Sequence, residues 1–303
     1  MSGDRFRGCL LGLALGDSLG APHEGGPVER LLWAMIGRTR KGERRWTDDT
    51  QMSLDLARSL LACKGLDLDH LALAFAGSYR WSRGYGPGAA KLLGRIGRGV
   101  PWREANRSVF ASGSFGNGGA MRAPVIGLYF AQCTQLEIVA AAEDSASVTH
   151  AHPLGIQGAA LIACATSAAL GGARSLELLD AAASSCNLQP YLERLASARA
   201  WLEEGQAVTP KQVRAQLGNR IVAAESCVTA LYLAVRFLEA DFLELLAFAA
   251  ACGGDVDTIS SMAGAIWGAA RGAGDLPEAQ LARLEQREVL ESVADSMQRA
   301  VEL

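Results

Sequence analysis

The sequence has few aromatic residues and no excess of positive charge. Phe, Trp and Tyr make up 6% of its 303 residues, and 32 acidic side chains outnumber 29 basic ones. Proteins that bind nucleic acid usually present a basic face, and those that bind single strands add aromatic side chains on which bases stack. We therefore expect small molecules or other proteins, and not nucleic acid, as binding partners.

Paired cysteines are also missing. The seven cysteines are scattered, their number is odd, and no CxxC pair occurs. Structural zinc sites normally use closely spaced thiolates, and disulfide frameworks normally use an even number of cysteines. The pattern predicts free thiols that pack as small hydrophobic side chains, and a reducing location such as the cytoplasm.

No long uninterrupted apolar segment is present. The apolar run near the N-terminus is short, and Asp17 interrupts it where a signal peptide would have its cleavage site. No other stretch approaches about 18 uninterrupted apolar residues, the length of a membrane span. We expect a protein without a membrane segment and take a monomer as the starting assumption.

Alternating strand patterns are absent, whereas helical periodicity covers most of the chain. Met52, Leu56 and Leu60, for example, fall on one apolar face of a helix that follows Thr50. Helices are predicted at 51–64, 68–82, 102–110, 134–147, 153–170, 175–185, 189–204, 222–238, 240–252, 257–271 and 277–299. No linker or internal repeat divides the chain. We predict one compact all-α domain over residues 1–303, with helix ends meeting at a common cleft.

Two groups of oxygen-bearing side chains stand at predicted helix starts: Thr47, Asp48 and Asp49, and then Asp255, Asp257 and Thr258. One such residue would suffice as a helix cap, which is the structural alternative. Adjacent carboxylates repel each other unless a cation compensates them. Sets of oxygen ligands suit Mg²⁺ or Mn²⁺, and a pair of such metals activates water. The two groups together predict a metal site.

The segment Leu15–Gly26 carries two further acidic side chains. Asp17 lies at the end of an apolar helix, where we expect a buried polar group that ties helices together. Glu24 lies in a turn beside Pro22 and Gly25, so its side chain could reach into a cleft. His23 is expected on the surface or behind the site.

A glycine-rich loop, Gly116, Asn117, Gly118 and Gly119, precedes a helical stretch and could cradle a phosphate. A simple connector is the alternative. No Lys-Ser/Thr pair follows, so this is not a Walker loop, and no strand precedes it, as a dinucleotide fingerprint would require.

Two aromatic or heteroaromatic side chains are further candidates for substrate binding. His150 and His152 are two residues apart, a spacing that does not put both on one helical face, so one histidine lining the cleft is favoured over a metal pair. Tyr85 lies in the turn RGYGPG and is a candidate for stacking on a substrate.

Taken in order, these segments resemble the ADP-ribosylglycohydrolase family. The matching strings are GCLLGLALGDSLGAPHE, WTDDTQM, RGYGPG, GNGGAMR, SVTHAHP, AAESCVTALY and GGDVDTISSMAGAIWGA, which run from residue 8 to about residue 272. WTDDT followed by GGDxDT in this order and separation is the specific part of the match. Val256 stands where many members have Thr, a side chain that is not expected to bind metal.

The resemblance implies an all-α hydrolase with two Mg²⁺ or Mn²⁺ ions, which cleaves the bond between ADP-ribose and an acceptor. It implies metal ligands at Thr47, Asp48, Asp49, Asp255, Asp257 and Thr258. The loop Gly116–Gly119 and His150 match positions that line the ADP-ribose pocket. Asp48 or Asp257 is the expected base, and Glu24 is expected to assist the leaving group or close the cleft.

Two other functions use the same residues. A two-metal phosphohydrolase of nucleotides or sugar phosphates would release inorganic phosphate instead of ADP-ribose. A non-catalytic ADP-ribose-binding protein would be expected to lose some of the ligands, whereas all of them are present. The expected partner is an ADP-ribosylated protein, with arginine favoured as the acceptor, or a small ADP-ribosyl conjugate.

Overall fold

The computed structural model describes residues 2–302 as helices joined by turns. Within this range the only β-structure is three isolated bridges, so the prediction of an all-α fold is confirmed. The α-helices are α1 (Gly3–Gly20), α2 (Pro27–Ile36), α3 (Asp48–Cys63), α4 (Leu68–Ser78), α5 (Pro87–Ile96), α6 (Trp102–Val109), α7 (Pro124–Tyr129), α8 (Gln135–Ser147), α9 (Pro153–Gly171), α10 (Ser175–Ala183), α11 (Gln189–Glu203), α12 (Pro210–Gln216), α13 (Ala223–Arg236), α14 (Phe242–Cys252), α15 (Val256–Arg271), α16 (Glu278–Leu281) and α17 (Arg287–Val301).

Helices α1 and α15 pack along their whole length in antiparallel orientation. Facing small residues make this possible: Gly8 lies against Gly268, Gly12 against Gly264, and Gly16 against Ser260. A β-carbon on any of these α1 glycines would overlap the backbone carbonyl oxygen opposite, so only glycine permits this approach. The antiparallel contact brings the end of α1, with Asp17, beside the start of α15, with Asp257.

The centre of the fold is formed by α9, α13 and α15. Within the described residues, α9 alone is long and apolar enough to cross a membrane by its length and its mean hydropathy of 1.5. However, 72% of that apolar window is buried inside the fold, where α7, α8, α10, α13 and α15 surround it. A helix that is apolar on most faces is what a buried central position requires, and we interpret α9 as a core helix.

The predicted helices agree with the observed ones to within three residues at their ends, with two exceptions. The helix predicted over 68–82 ends at Ser78, because Tyr79 has a ψ of 129° and leaves the helical range.

The second exception is at the C-terminal end. The prediction of a continuous helix over 277–299 is wrong, because residues 282–286 form turns between α16 and α17. Gln286 has a φ of 53°, which is outside the helical range. The Glu285 N–H donates to the carbonyl oxygen of Arg44 (3.0 Å), and the Glu285 carboxylate pairs with Arg83 (2.7 Å). These contacts with distant residues hold the segment out of a helix.

Three short helices, α2, α5 and α12, were not predicted, and a fourth, α7, was predicted only as a helical stretch after the glycine-rich loop. Each begins with a proline, at Pro27, Pro87, Pro124 and Pro210. Proline suits the first turn of a helix because its missing N–H would have no partner there. In a short apolar segment the same residue indicates a turn, so the sequence pattern did not distinguish these helices from loops.

Candidate active site

A cleft of about 380 Å³ opens where the starts of α3 and α15 meet the loop between α6 and α7. Its acidic wall carries Glu24, Asp48, Asp49, Asp255, Asp257 and Thr258. A second wall contains Ser114, Gly116, Asn117, Gly118, Thr149 and His150, and apolar side chains including Met52, Leu92, Phe110 and Ile221 cover the remainder.

Asp17 fixes the start of α3. Its buried carboxylate accepts hydrogen bonds from the N–H groups of Thr47 and Thr50 (2.9 and 3.1 Å) and from the Thr50 hydroxyl (2.5 Å). The Thr47 side chain caps the helix by accepting from the Asp49 N–H (3.3 Å). The predicted structural role of Asp17 is therefore confirmed. Because Asp17 and Thr47 satisfy the amides, the carboxylates of Asp48 and Asp49 are not needed as caps.

The start of α15 is held by the backbone and by side-chain amides. Gly253 and Gly254 adopt φ values of 68° and 81°, and this turn places the Asp255 N–H on the Asn219 carbonyl oxygen (2.8 Å). The Asp255 carboxylate accepts from the side-chain amide of Asn117 (2.5 Å) and makes no capping bond within its own helix. Capping therefore does not account for Asp255, whereas Asp257 Oδ1 accepts from the Thr258 N–H in the first turn of the helix (2.9 Å).

The two groups meet at Asp49. Its Oδ2 accepts from the Thr47 hydroxyl (3.0 Å) and from the Thr258 hydroxyl (3.4 Å), which lies 209 residues away in the chain. Its Oδ1 is buried and has no hydrogen-bond partner. Carboxylate oxygens of Glu24, Asp255 and Asp257 also lie within 4.8 Å of one another. The structure thus brings together all the predicted metal-ligand positions and Glu24.

The four aspartates of the acidic wall carry negative charge that no basic side chain among residues 2–302 compensates. Burial, followed by repulsion from neighbouring carboxylates, raises the pKa of Asp48, Asp49 and Asp257 well above the ordinary value for Asp. Burial also raises the pKa of Asp255, against the opposing effect of its bond from Asn117. No Arg or Lys among residues 2–302 forms an ion pair with these four aspartates. Hard divalent cations would supply the missing charge, and carboxylate and hydroxyl oxygens are their preferred ligands.

The glycine-rich loop forms the second wall, which meets the acidic wall where Asn117 contacts Asp255. The Asn117 N–H donates to the Ile221 carbonyl oxygen (2.9 Å), which fixes the loop to the chain that precedes α13. A β-carbon on Gly118 would lie 2.6 Å from the His150 ring. Gly118 therefore lets the backbone and the imidazole line the cleft side by side.

Arg122 holds this wall from behind. Its fully buried guanidinium donates to the carbonyl oxygens of Gly118 (2.5 Å) and Ser145 (2.9 Å) and to the Thr149 hydroxyl (2.9 Å). Thr149 in turn hydrogen-bonds His150 Nδ1 (2.8 Å). Burial, and then the charge of Arg122, lowers the pKa of His150 to about 3, so the imidazole is neutral near pH 7.

Three predicted site residues do not line the cleft. Thr47 is buried beside Asp49 and borders the acidic group. Gly119 packs against Ala146 behind the loop. The Tyr85 ring packs against Tyr79, with centroids 4.9 Å apart, and would have to leave this contact to stack on a substrate.

The sequence did not single out several residues that shape the cleft. Phe110, Met52 and Ile221 are apolar residues in apolar surroundings, so no local pattern separates them from core residues. Arg122 carried a usable signal, because an arginine inside a helical apolar stretch needs hydrogen-bond acceptors when it is buried. Asn219 lies in a turn, and its backbone contact with Asp255 depends on the tertiary fold.

Comparisons with known proteins agree with this geometry. The sequence model of the ADP-ribosylglycohydrolase family matches residues 2–303. The chain is 34% identical to the ADP-ribosylhydrolase ARH3 of Homo sapiens over 341 aligned positions, covering 97% of this chain and 93% of that protein. It is 33% identical to an uncharacterised protein of Archaeoglobus fulgidus, covering 97% and 96% of the two chains.

Among solved structures, an ADP-ribosylglycohydrolase-related protein superposes with a TM-score of 0.75 at 28% identity, over 99% of this chain and 98% of the other. Both the sequence and the fold therefore match over almost their whole length. The chain belongs to the ADP-ribosylglycohydrolase family, whose members are metal-dependent hydrolases that cleave glycosidic bonds of ADP-ribose.

Proposed function

We propose that the protein removes ADP-ribose from a modified protein side chain, and that this side chain is an arginine. The reaction would use two Mg²⁺ or Mn²⁺ ions bound in the acidic wall. The observation that carries this proposal is the junction at Asp49, where hydroxyls from the starts of α3 and α15 reach one carboxylate oxygen. Such convergence of oxygen ligands from two helix starts is what a site for two hard cations requires.

The residues fit the proposed metals on two counts. Asp49 Oδ1 is a buried acceptor without a partner, and such a group costs about 1–3 kcal/mol unless something binds it. The four neighbouring aspartates also repel one another, because no basic side chain among residues 2–302 forms an ion pair with them. The metals would be held by the predicted ligands, Thr47, Asp48, Asp49, Asp255, Asp257 and Thr258. When bound, the metals would polarise substrate oxygens and lower the pKa of water.

The residues of the chain have separate roles in the proposed reaction. Asp48 and Asp257, which both line the cleft, are the two candidates for the base that accepts a proton from the attacking water. The backbone of Gly116–Gly118 and the neutral His150 hold the ADP-ribose on the second wall. Water then attacks the anomeric carbon as oxocarbenium character develops.

Glu24 supports arginine as the acceptor. It lies on the same wall as the aspartates, within 4.8 Å of Asp255 and Asp257 by its carboxylate oxygen, and it retains solvent access. A carboxylate in this position pairs with the positively charged guanidinium of an ADP-ribosylated arginine and holds it as the bond to ADP-ribose breaks. A serine acceptor leaves as a neutral alcohol and gains less from Glu24.

The experiment is release of free ADP-ribose from arginine- and serine-linked ADP-ribosyl peptides with Mg²⁺, Mn²⁺ or EDTA. We expect metal-dependent release, faster from the arginine linkage. Asp257→Ala should abolish turnover, while Asp241→Ala, the same change at the start of α14, should leave it intact. Near-normal turnover by Asp257→Ala would exclude the two-group site.

The two-metal phosphohydrolase is separated by its product. In the same assay with nucleotides and sugar phosphates, inorganic phosphate in place of ADP-ribose would identify that reaction. Titration of the metal-free protein with Mn²⁺ should give two bound ions, and a single ion would contradict the proposed metal count.

A further inference from the structure

Helix α2 carries apolar side chains that remain largely exposed among the described residues. Val28 and Met35 each keep 75% of their surface exposed, and Leu31 keeps 65%. No side chain described in this helix is buried, and only Trp33 and Ile36 are partly covered. Single exposed apolar residues are ordinary, but four of them on ten residues, with Leu32 as the fourth, form a continuous patch of the kind that marks an interaction surface.

A basic hairpin, defined here as Arg38–Arg45, follows α2 directly. It holds five basic side chains and one acidic one, in a chain whose net charge is −3. Arg38 pairs with Arg44 across the hairpin, and the Arg44 N–H donates to the carbonyl oxygen of Arg283 (2.6 Å). Three arginines are thereby held close together.

These three arginines are not neutralised within residues 2–302. None of Arg38, Arg44 and Arg283 forms an ion pair there, and Arg44 Nε is buried without a hydrogen-bond partner. Burial, followed by the charges of Arg38 and Arg283, lowers the pKa of Arg44. A protein that keeps guanidinium groups together in this way presents a site for carboxylates or other anions.

Both parts of this surface are connected to residues of the acidic wall. Arg30 of α2 donates to the carbonyl oxygens of Gly25 (3.1 Å) and His23 (2.9 Å), the residues that flank Glu24. The basic hairpin runs on through Trp46 into Thr47, at the start of the acidic wall. A molecule bound to α2 and the basic hairpin would therefore reach the cleft.

We infer that α2 and the basic hairpin form a docking surface for the ADP-ribosylated protein, and that they select substrates with acidic and apolar residues beside the modified side chain. This rests on the proposed function. The uncompensated arginines indicate an acidic partner, and the apolar patch adds contact area. A symmetric dimer through α2 would bring two basic hairpins together, which their charge opposes.

Peptides with matched flanks test this inference. Two peptides carry the same ADP-ribosylated residue, one flanked by Glu and Leu and the other by Lys and Leu, and the free ADP-ribosyl amino acid serves as a substrate without flanks. We expect kcat/KM to be about tenfold higher for the acidic peptide at low salt, and the difference to shrink as salt rises.

Charge reversal at the tip of the basic hairpin, Arg40→Glu with Lys41→Glu, should remove this preference and leave the flankless substrate unchanged. The control is Arg98→Glu with Lys211→Glu, which reverses two exposed charges elsewhere and should keep the preference. Leu31→Ser with Met35→Ser should weaken binding of the acidic peptide at every salt concentration. Equal rates for both peptides would overturn the inference.

Binding of unmodified peptides, measured by fluorescence polarisation, tests the surface without turnover. If no substrate is hydrolysed but the acidic peptide still binds through Arg40 and Lys41, the proposed function fails and the docking surface stands. If hydrolysis proceeds without preference and neither peptide binds, only the docking surface fails. Two other results would overturn the inference. If the protein sediments with phosphatidylserine vesicles and Arg40→Glu with Lys41→Glu abolishes this, the surface binds lipid. If the protein is a dimer that Leu31→Ser dissociates, the surface binds a second copy.

Discussion

The two walls of the cleft treat charge in opposite ways. The acidic wall gathers the side chains of Asp48, Asp49, Asp255 and Asp257 without a basic partner among residues 2–302. Burial raises the pKa of all four, and repulsion from neighbouring carboxylates raises it further for Asp48, Asp49 and Asp257. The glycine wall presents backbone and a neutral His150, with its one charge, Arg122, fully buried behind the loop.

This difference shows what each wall is built to receive. Excess negative charge is stable only when cations arrive, so the acidic wall is incomplete by itself. The glycine wall is complete, because the hydrogen bonds of Arg122 fix it before any ligand binds. It also puts positive charge behind a surface of backbone, which suits an anionic ligand such as a pyrophosphate. Changes in the two walls should therefore have effects of different kinds.

Asp49→Asn should have the largest effect. The change removes the charge at the junction of the two helix starts, and we expect turnover to fall by about 10³-fold, as for loss of one strong electrostatic contact in an active site. The same change relieves repulsion among the carboxylates, so the melting temperature of the metal-free protein should rise by about 2 °C. Turnover and calorimetry in EDTA measure the two effects.

The matched control for that variant is Asp55→Asn, on the same helix. Burial raises the pKa of Asp55 to about 6, yet its carboxylate accepts from Ser78 and Gln51 and does not line the cleft. This variant should keep turnover and gain no stability. Equal loss of turnover in both variants would mean that α3 as a whole is disturbed.

Metal binding should stabilise the protein more strongly at high pH. Burial raises the pKa of Asp17 to about 6, and burial with repulsion raises those of Asp48 and Asp49. The folded, metal-free protein thus holds protons that the unfolded chain releases near pH 4. These groups therefore contribute most to the stability of the folded protein below about pH 4, and their contribution is lost as the pH rises through about 6.

Divalent cations replace those protons, so the gain in melting temperature from saturating Mg²⁺ should be larger at pH 7.5 than at pH 5.5. At about 100 times the dissociation constant the gain in free energy is about 2.7 kcal/mol. Thermal unfolding in Mg²⁺ and in EDTA at both pH values measures it. A gain that is the same at both pH values would contradict the proposed site in the acidic wall.

Arg122→Lys tests the glycine wall. Lysine keeps the charge but cannot make three directed hydrogen bonds from one plane. The loop should lose its fixed position, and affinity for ADP-ribose should fall about tenfold. Affinity for Mn²⁺ should fall less, because Asn117 of the loop contacts the acidic wall at Asp255 alone among the aspartates of that wall. Isothermal titration with each ligand separates the walls. A parallel loss of Mn²⁺ affinity would show that the two walls are not independent.

The two walls also differ in how far the sequence predicted them. The acidic wall was predicted residue by residue, because adjacent carboxylates at Asp48–Asp49 and Asp255–Asp257 conflict with local stability and so indicate a function. The contact of Asp49 with Thr258 was not predictable from local patterns, because it joins α3 to α15 through α1. Asp17 of α1 holds the start of α3, and α1 in turn packs closely against α15.

The glycine wall was predicted only in outline. Glycines indicate a loop, but nothing local shows that Gly118 faces His150 or that Arg122 supports both. Tyr85 shows the limit from the other side. An aromatic residue among glycines suggested a surface for stacking, whereas in the structure its ring packs against Tyr79.

The smallest effect is expected for His150→Gln. A pKa near 3 keeps the imidazole neutral, so it acts as a hydrogen-bonding group, and Gln can replace part of that role with a loss of affinity of about threefold. The pH profile of ADP-ribose binding between pH 5.5 and 8 should lack a step from this histidine in either protein. The two proteins should differ instead in how their stability depends on pH. Below about pH 6.5 the unfolded wild-type chain binds a proton at His150, whereas the folded protein does not. The wild-type protein should therefore lose more stability than His150→Gln as the pH falls from 6.5 to 5, and thermal unfolding in EDTA at the two pH values measures this. A binding step near pH 6.5 that His150→Gln removes would show that burial and the charge of Arg122 do not keep this imidazole neutral.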